Sequence, residues 1–279
     1  MSEAVVVERA PAKINLALHV RRRRADGYHD LETLFAFAQD GDVVTVARAD
    51  RASFRITGPF AGGLAVDKGD NLVERAAAAF GDAFAIEAAH AIVLDKNLPI
   101  ASGIGGGSAD AAATLRALAR LYGVDAGDDR LYAIAVGLGA DVPACLLGRT
   151  ALGTVKGDAL APLDGLTGTP LLLVNPLVPV STARVFAGWD GVDRGALPDG
   201  DLLARTRVGR NDLERAAIGL APIIADVQAL LDAAPGMLVA RMSGSGATCF
   251  ALFAHEEARD ATAGSARARG WWTLASVLA

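Results

Sequence analysis

The sequence predicts an α+β protein built from two domains. Strand-like and helix-like runs are mixed along the chain without the regular strand–helix–strand spacing of a parallel-sheet protein. The chain has 279 residues, of which 52% are apolar, so two modest domains can each bury a core. From Leu152 onward the composition loosens and glycine turns become frequent. We therefore expect an N-terminal domain over residues 1–156 and a C-terminal domain over residues 157–279.

The first strand has one polar face. In residues 13–20 apolar residues occupy every even position, while Lys13, Asn15 and His19 fall on the other face, because side chains alternate along a strand. This arrangement is expected for the wall of a binding cleft. An ordinary solvent-exposed strand face would give the same alternation, so both interpretations stay open.

The other elements follow from apolar periods of two for strands and 3.6 for helices. In the N-terminal half we expect strands at 42–47, 53–57 and 92–94, and helices over 71–80, from a glycine-rich loop to Gly123, and over 132–138. In the C-terminal half we expect strands at 171–174, 238–242, 248–253 and 271–277, a helical region over 212–233 bent at Pro222, and a helix over 256–269.

The charge balance excludes several classes of partner. With 27 basic and 32 acidic side chains, the net charge of −5 gives no overall field for nucleic acid. No run approaches the roughly 20 apolar residues of a membrane span, and the first residues lack the positive charge of a secretion signal. Cys145 and Cys249 lie in apolar surroundings, as buried thiols do in a reducing compartment. We expect a cytoplasmic monomer or weak homodimer that binds neither nucleic acid nor membranes.

A glycine-rich loop connects a predicted strand to a predicted helix. Residues 98–110 read Leu-Pro-Ile-Ala-Ser-Gly-Ile-Gly-Gly-Gly-Ser-Ala-Asp. Glycines let backbone N–H groups turn inward and the helix start adds its positive end, which favours phosphate binding over a purely structural turn. The loop has neither the lysine of a Walker A motif nor the spacing of a dinucleotide-binding loop. Ser108 could cap the helix or turn its hydroxyl toward phosphate or Mg²⁺.

Lys13 and Asp141 are the candidate catalytic side chains. Asp141 lies two residues before Pro143, whose ring favours an extended Val142, so we expect Asp141 on a loop. Alone, this aspartate could simply stabilise its own turn. A lysine and an aspartate together can activate a hydroxyl, because the carboxylate orients it or takes its proton while the ammonium stabilises charge.

Two further segments are candidates for ligand contacts. Residues 241–248 form a small-residue turn that could support the glycine-rich loop or touch a triphosphate. Tyr28 and His29 follow four arginines at 21–24, and an aromatic ring beside a hydrogen-bonding ring can hold a nucleobase. The arginines themselves are typical of a solvated strand end. The sequence has no zinc-binding motif and no serine-hydrolase nucleophile elbow.

Three motifs in order resemble those of the GHMP small-molecule kinases: Pro-Ala-Lys-Ile-Asn-Leu at 11–16, the loop at 99–110 and the turn at 242–248. Asp-Gly-Tyr-His-Asp-Leu at 26–31 is similar to the branch that phosphorylates a small molecule, cytidine diphosphate-linked methylerythritol, in the non-mevalonate isoprenoid pathway. The resemblance implies an N-terminal domain like domain 2 of ribosomal protein S5 and a ferredoxin-like C-terminal domain. It also implies transfer of the γ-phosphoryl group of ATP, with Mg²⁺, to the C2 hydroxyl of that substrate.

The resemblance also assigns roles to individual residues. Lys13 and Asp141 match the catalytic pair. Of the residues in the glycine-rich loop, we expect Ser108 to be the protein ligand of Mg²⁺. The substrate would be bound by Asn15, Tyr28, His29, Thr182 and Phe186, with the cytosine between the rings of Tyr28 and Phe186. ATP would be bound by Pro99, Ile100, Ala101, Ser102, Gly103, Ile104, Gly105, Gly106, Gly107, Ser108 and Ala109, with adenine near Asn71 and Lys96.

Other functions remain open. Another GHMP kinase, acting on homoserine or a mevalonate derivative, would keep the glycine-rich loop but need no cytidine pocket at Tyr28 and His29. A catalytically silent metabolite sensor on the same fold would need neither Lys13 nor Asp141. Ribosome-associated binding through the S5-like fold would require a basic face, which conflicts with the net charge of −5.

Overall fold

A computed structural model describes residues 4–63 and 71–279. The strands are β1 (Val5–Arg23), β2 (His29–Ala49), β3 (Ser53–Thr57), β4 (Ala89–Asp95), β5 (Ala151–Thr154), β6 (Ala159–Pro162), β7 (Pro170–Asn175), β8 (Met237–Met242), β9 (Cys249–Phe253) and β10 (Trp272–Val277). The helices are α1 (Leu72–Phe84), α2 (Gly106–Tyr122), α3 (Asp129–Leu138), α4 (Val142–Leu147), α5 (Thr182–Ala187), α6 (Leu202–Val208), α7 (Glu214–Leu220), α8 (Ile223–Asp232) and α9 (Glu256–Arg267). This mixture confirms the α+β prediction.

The described residues divide into two compact units that alternate along the chain. The first unit falls within Met1–Ala12, Asp40–Ile100 and Gly105–Gly148. The second falls within Lys13–Gln39, Ala101–Ile104 and Arg149–Ala279. Strands β1 and β2 and the glycine-rich loop therefore contribute residues to both units.

The first unit combines a sheet with four helices. Its strands are ordered β3–β4–β2, with β3 parallel and β2 antiparallel to β4, and α2 packs against α1, α3 and α4. Helix α1 begins after Asn71, whose side-chain oxygen accepts a hydrogen bond from the N–H of Val73 at 2.9 Å. Helix α2 buries Leu115 and Leu118 and ends at Gly123 in the left-handed conformation. The packing of α2 against these helices fixes the position of its first residues, where the glycine-rich loop ends.

The second unit contains an antiparallel sheet in the order β10–β7–β9–β8. Helix α8 packs on β8 and β9, and α9 packs on β7 and β10. Their contacts surround a core that includes Leu172, Leu231 and Phe253. Residues 33–35 of β2 pair with β5, which in turn pairs with β6. The connection between β8 and β9 is the small-residue turn that the sequence singles out.

Most predicted elements are present, and two predictions were wrong. The helical region over 212–233 is two helices, α7 and α8, because Ala221 is not helical (φ −141°, ψ 84°) and Pro222 starts a new helix. Asp141 does not lie within a loop but directly precedes α4, with Pro143 in the first turn, where the missing N–H of proline would have no partner in any case. Strands β5 and β6 and helices α4, α5 and α6 were not predicted. None of the described helices is long and apolar enough to cross a membrane.

Candidate active site

Lys13 and Asn15 lie on a buried polar face of β1. Lys13 is 3% exposed and Asn15 is 2% exposed. The ammonium of Lys13 donates to Asn15 Oδ1 at 2.9 Å and lies 5.4 Å from the centre of the Phe35 ring. Asn15 Nδ2 donates in turn to Thr33 Oγ1 at 2.7 Å. The polar face of this strand is therefore not a solvated face, and its hydrogen bonds fix the position of the ammonium.

His19, on the same face, has a structural role. Its Nε2 accepts from the N–H of Arg210 at 3.3 Å, so Nδ1 carries the proton and donates to the carbonyl of Gly195 at 3.1 Å. Burial lowers the pKa of His19, and the positive charge of Arg210 lowers it further. The neutral ring is used entirely for backbone contacts.

Asp141 is half-buried at the start of α4. Its carboxylate makes no capping hydrogen bond to that helix. The turn before the helix is closed by the backbone instead, with the N–H of Val142 donating to the carbonyl of Gly139 at 3.1 Å.

The glycine-rich loop changes direction through three residues with positive φ. These are Ala101 (51°), Gly103 (75°) and Gly105 (67°). Gly105 occupies the position before α2, and no side chain caps the helix start. The first N–H groups of α2 therefore lack a side-chain acceptor, which is the arrangement that binds anions. Ser108 lies inside the first turn rather than at the cap, and its hydroxyl makes no hydrogen bond within the described residues.

The turn between β8 and β9 supports the loop. The N–H of Thr248 donates to the carbonyl of Ser102 at 3.2 Å, and Ser243 Oγ donates to the carbonyl of Gly103 at 3.1 Å. Ser243 Oγ also accepts from the N–H of Asn15 at 3.1 Å. A Cβ on Gly103 would lie 2.6 Å from the carbonyl oxygen of Ser243. Glycine is thus required here both by the positive φ and by the close backbone contact.

Asn71 and Lys96 have side chains engaged within the first unit. Asn71 caps α1. Lys96 is 2% exposed, and its ammonium donates to Asp42 Oδ2 at 2.5 Å and to Asp110 Oδ2 at 2.6 Å. Burial alone would lower the pKa of Lys96, but the two carboxylates outweigh it and raise the pKa. Sequence reasoning missed this buried cluster, because Asp42 and Asp110 are 54 and 14 residues away from Lys96 in the chain.

Two of the residues predicted to bind cytidine, His29 and Phe186, are in contact with each other. The ring centres of His29 and Phe186 are 5.1 Å apart with planes tilted by 38°, and those of His29 and Trp189 are 5.7 Å apart with planes at 85°. Tyr28 is 55% exposed, with the ammonium of Lys156 5.0 Å from its ring centre. Burial, with a contribution from the charge of Arg23, lowers the pKa of His29. Trp189 and Lys156 were not predicted as neighbours of this pocket.

Thr182 contacts the 243–248 turn, which also contacts the glycine-rich loop. Its Oγ1 and the Oγ of Ser245 are 2.9 Å apart and share a hydrogen bond. Within the second unit the structure thus groups Lys13 and Asn15 with the 243–248 turn, and Thr182 with that turn.

Comparisons with known proteins agree on one family. The family models "GHMP kinases N terminal domain" and "GHMP kinases C terminal" match residues 71–149 and 199–270. A protein of Rhizorhabdus wittichii named 4-diphosphocytidyl-2-C-methyl-D-erythritol kinase is 58% identical, over 97% of this chain and 94% of its own length. One of the same name from Novosphingobium aromaticivorans is 48% identical, over 97% of this chain and 92% of its own.

Solved structures give the same picture. A crystal structure of 4-(cytidine 5'-diphospho)-2C-methyl-D-erythritol kinase is 35% identical with a TM-score of 0.82, and the alignment covers 98% of both chains. A homoserine kinase from Cytophaga hutchinsonii is similar in fold, with a TM-score of 0.72 at 22% identity over 100% of this chain and 96% of its own.

Proposed function

The chain belongs to the GHMP kinase family, and from that premise we propose how its residues carry out one reaction. The enzyme transfers the γ-phosphoryl group of ATP to the C2 hydroxyl of 4-diphosphocytidyl-2-C-methyl-D-erythritol, in the non-mevalonate route to isoprenoid precursors. The observation that carries the choice of substrate is the ring pair of His29 and Phe186, with the exposed Tyr28 next to His29 in the chain. Aromatic faces with a hydrogen-bonding ring suit a nucleobase, and neither homoserine nor mevalonate contains one.

ATP is bound by residues 99–109. The uncapped start of α2 supports this role, because its N–H groups and the positive end of the helix favour phosphate oxygens. Adenine lies near Asn71 and Lys96 in this proposal. The ammonium of Lys96 is held by two carboxylates, so we do not assign it as the contacting group.

Asp141 and Lys13 carry the chemistry. The C2 oxygen attacks the γ-phosphorus, the bond between that phosphorus and the β–γ bridging oxygen breaks, and the hydroxyl proton passes to the carboxylate of Asp141. The C2 hydroxyl is tertiary and a poor nucleophile, so orientation by Asp141 matters as much as proton removal. Lys13 stabilises the negative charge that develops, and its hydrogen bond to Asn15 supports this role because the ammonium is positioned in advance.

We also propose Mg²⁺ as the metal that accompanies ATP. The described residues contain no group of three acidic, histidine or cysteine side chains suited to a metal. Mg²⁺ commonly keeps several waters and substrate phosphate oxygens with few protein ligands, so a single hydroxyl such as that of Ser108 fits its preference. When bound, the ion neutralises charge on the phosphates.

The remaining assignments concern the substrate and the whole chain. The cytosine is placed between Tyr28 and Phe186 beside His29, and Asn15 and Thr182 contact the methylerythritol or the diphosphate. We place the N-terminal domain at residues 1–156 and the C-terminal domain at 157–279 as segments of the sequence, and the family matches at 71–149 and 199–270 support this boundary. The compact units of the fold do not follow it throughout, because residues 13–39 belong to the second unit. We further propose a cytoplasmic enzyme, monomeric or weakly dimeric, that binds neither nucleic acid nor membranes.

One assay tests the function. ADP release from Mg-ATP is measured with 4-diphosphocytidyl-2-C-methyl-D-erythritol, homoserine and mevalonate in parallel. Turnover with the cytidyl alcohol alone, inhibited by CMP, is expected. Turnover with homoserine or mevalonate instead would keep the ATP site but refute the cytidine pocket.

A further inference from the structure

Three charged side chains are buried together in the first unit. Asp42, Lys96 and Asp110 are 0%, 2% and 3% exposed. Besides the two contacts to the ammonium, Asp42 Oδ1 accepts from the backbone N–H groups of Asn97 and Leu98, at 2.5 and 2.8 Å. Buried charges are destabilising unless they are paired and hydrogen-bonded, so this cluster requires an explanation.

The cluster lies where the glycine-rich loop begins and where it ends. Asn97 directly precedes the loop and Leu98 is its first residue, and the N–H groups of both donate to Asp42 from β2. Asp110 lies in α2, the helix into which the loop leads. A Cβ on Gly106, the first residue of that helix, would lie 3.0 Å from the ammonium of Lys96. The same ammonium therefore lies close to the start of α2 and donates to the carboxylate that holds the start of the loop.

The cluster contains two acidic side chains and only one basic side chain. Asp110 Oδ1 is buried without a hydrogen-bond partner. Burial raises the pKa of Asp110; the carboxylate of Asp42 adds to the rise, while Lys96 opposes it. Two carboxylates thus compete for one ammonium, which makes the arrangement sensitive to the loss of any one charge.

We propose that Asp42, Lys96 and Asp110 are positioning residues for ATP, which hold both ends of the glycine-rich loop so that the start of α2 meets the phosphates. The inference rests on the proposed ATP site and assigns these side chains no contact with the nucleotide. They act through the backbone of Leu98 and Gly106. A loop held at only one end would sample other conformations and bind phosphate less tightly, since ordering it would then oppose binding.

The test compares Michaelis constants in the intact enzyme. Lys96→Met removes the ammonium, and Asp110→Asn removes one charge while keeping the size of the side chain. We expect Lys96→Met to raise KM for ATP roughly tenfold or more and Asp110→Asn to raise it less, with KM for the cytidyl alcohol changed less than about twofold. Adding Asp110→Asn to Lys96→Met should recover part of the loss, because one unpaired buried carboxylate is removed.

Leu115→Ala is the matched control. Leu115 is fully buried in the same helix but is not part of the cluster. Its truncation lowers the unfolding temperature and should leave KM for ATP within about twofold of the wild type. If Leu115→Ala raises KM for ATP as much as Lys96→Met does, the effect reports general loosening of α2 and the positioning role is refuted.

Titration with a fluorescent ATP analogue separates this inference from the proposed function. If the wild type phosphorylates no alcohol but binds the analogue, and Asp110→Asn binds it more weakly, the reaction assignment fails and the positioning role stands. Equal binding by wild type and folded variants, or no binding by the wild type, overturns the positioning role. If Lys96→Met does not fold, Asp110→Asn decides between these outcomes.

Discussion

Gly103→Ala should be costly for two separate reasons. Gly103 has φ +75°, and a left-handed conformation costs a residue with a Cβ about 1–2 kcal/mol. The added Cβ would also lie 2.6 Å from the oxygen of Ser243, 2.7 Å from the oxygen of Gly246 and 2.8 Å from its nitrogen. These are backbone atoms that cannot rotate away, so overpacking adds about 1–3 kcal/mol. We expect the free energy of unfolding to fall by about 2–5 kcal/mol in total.

Gly123→Ala is the control that isolates the first reason. Gly123 has φ +66°, with nothing within 4 Å of its Cβ position, so it should lose only about 1–2 kcal/mol. Urea unfolding of both variants measures the difference, and ADP release measures activity. Gly103→Ala should lose most of its kcat/KM, whereas Gly123→Ala should keep the wild-type value. Equal losses of stability in the two variants would show that the contact with the 243–248 turn does not constrain the loop.

Four further predictions concern other residues. Asp141→Asn should lower kcat at least about 100-fold with little change in either KM, because a general base contributes 10²–10⁴-fold; turnover within a few-fold of the wild type would refute the assignment. Phe186→Leu should weaken inhibition by CMP about tenfold or more, since base stacking contributes about 1–3 kcal/mol, and unchanged inhibition would remove Phe186 from the pocket. Asn71→Ala should cost about 1 kcal/mol in urea unfolding through loss of the α1 cap. Burial raises the pKa of Asp110 in the folded state, so the folded protein binds a proton at this carboxyl more tightly than the unfolded chain, where the pKa is about 3.9. The wild type should therefore lose stability relative to Asp110→Asn as the pH rises above about 4, and parallel unfolding curves would contradict the raised pKa.

Features that depend on short-range pattern were predictable from the sequence. The glycine-rich loop, the end of α2 at Gly123 and the strand alternation around Lys13 follow from local residue types. What covers the polar face of β1 was not predictable, because Asn15 meets Ser243 across a separation of 228 residues. The ion-pair partners of Lys96 could not be predicted from its neighbours in the sequence either, because Asp42 and Asp110 are 54 and 14 residues away.

The position of Asp141 illustrates a different limit. A proline two residues later favours an extended residue before it in most contexts, and that tendency predicted a loop. The same proline is also suited to the first turn of a helix, which is what α4 uses. The local sequence therefore did not discriminate between a loop and a helix start at Asp141. In the structure the helix α4 packs against α2 and α3 within the first unit.

The alternation of the two units along the chain has a consequence during synthesis. Residues 13–39 leave the ribosome early but belong to a unit whose other large segment begins at Arg149. The N–H of Asn15 can donate to the hydroxyl of Ser243 only after a further 228 residues have been synthesised. At about 5–20 residues per second this delay is roughly 10–45 s. Over that time β1 can pair with β2, which follows it directly in the chain, but the N–H of Asn15 is without its partner on the 243–248 turn.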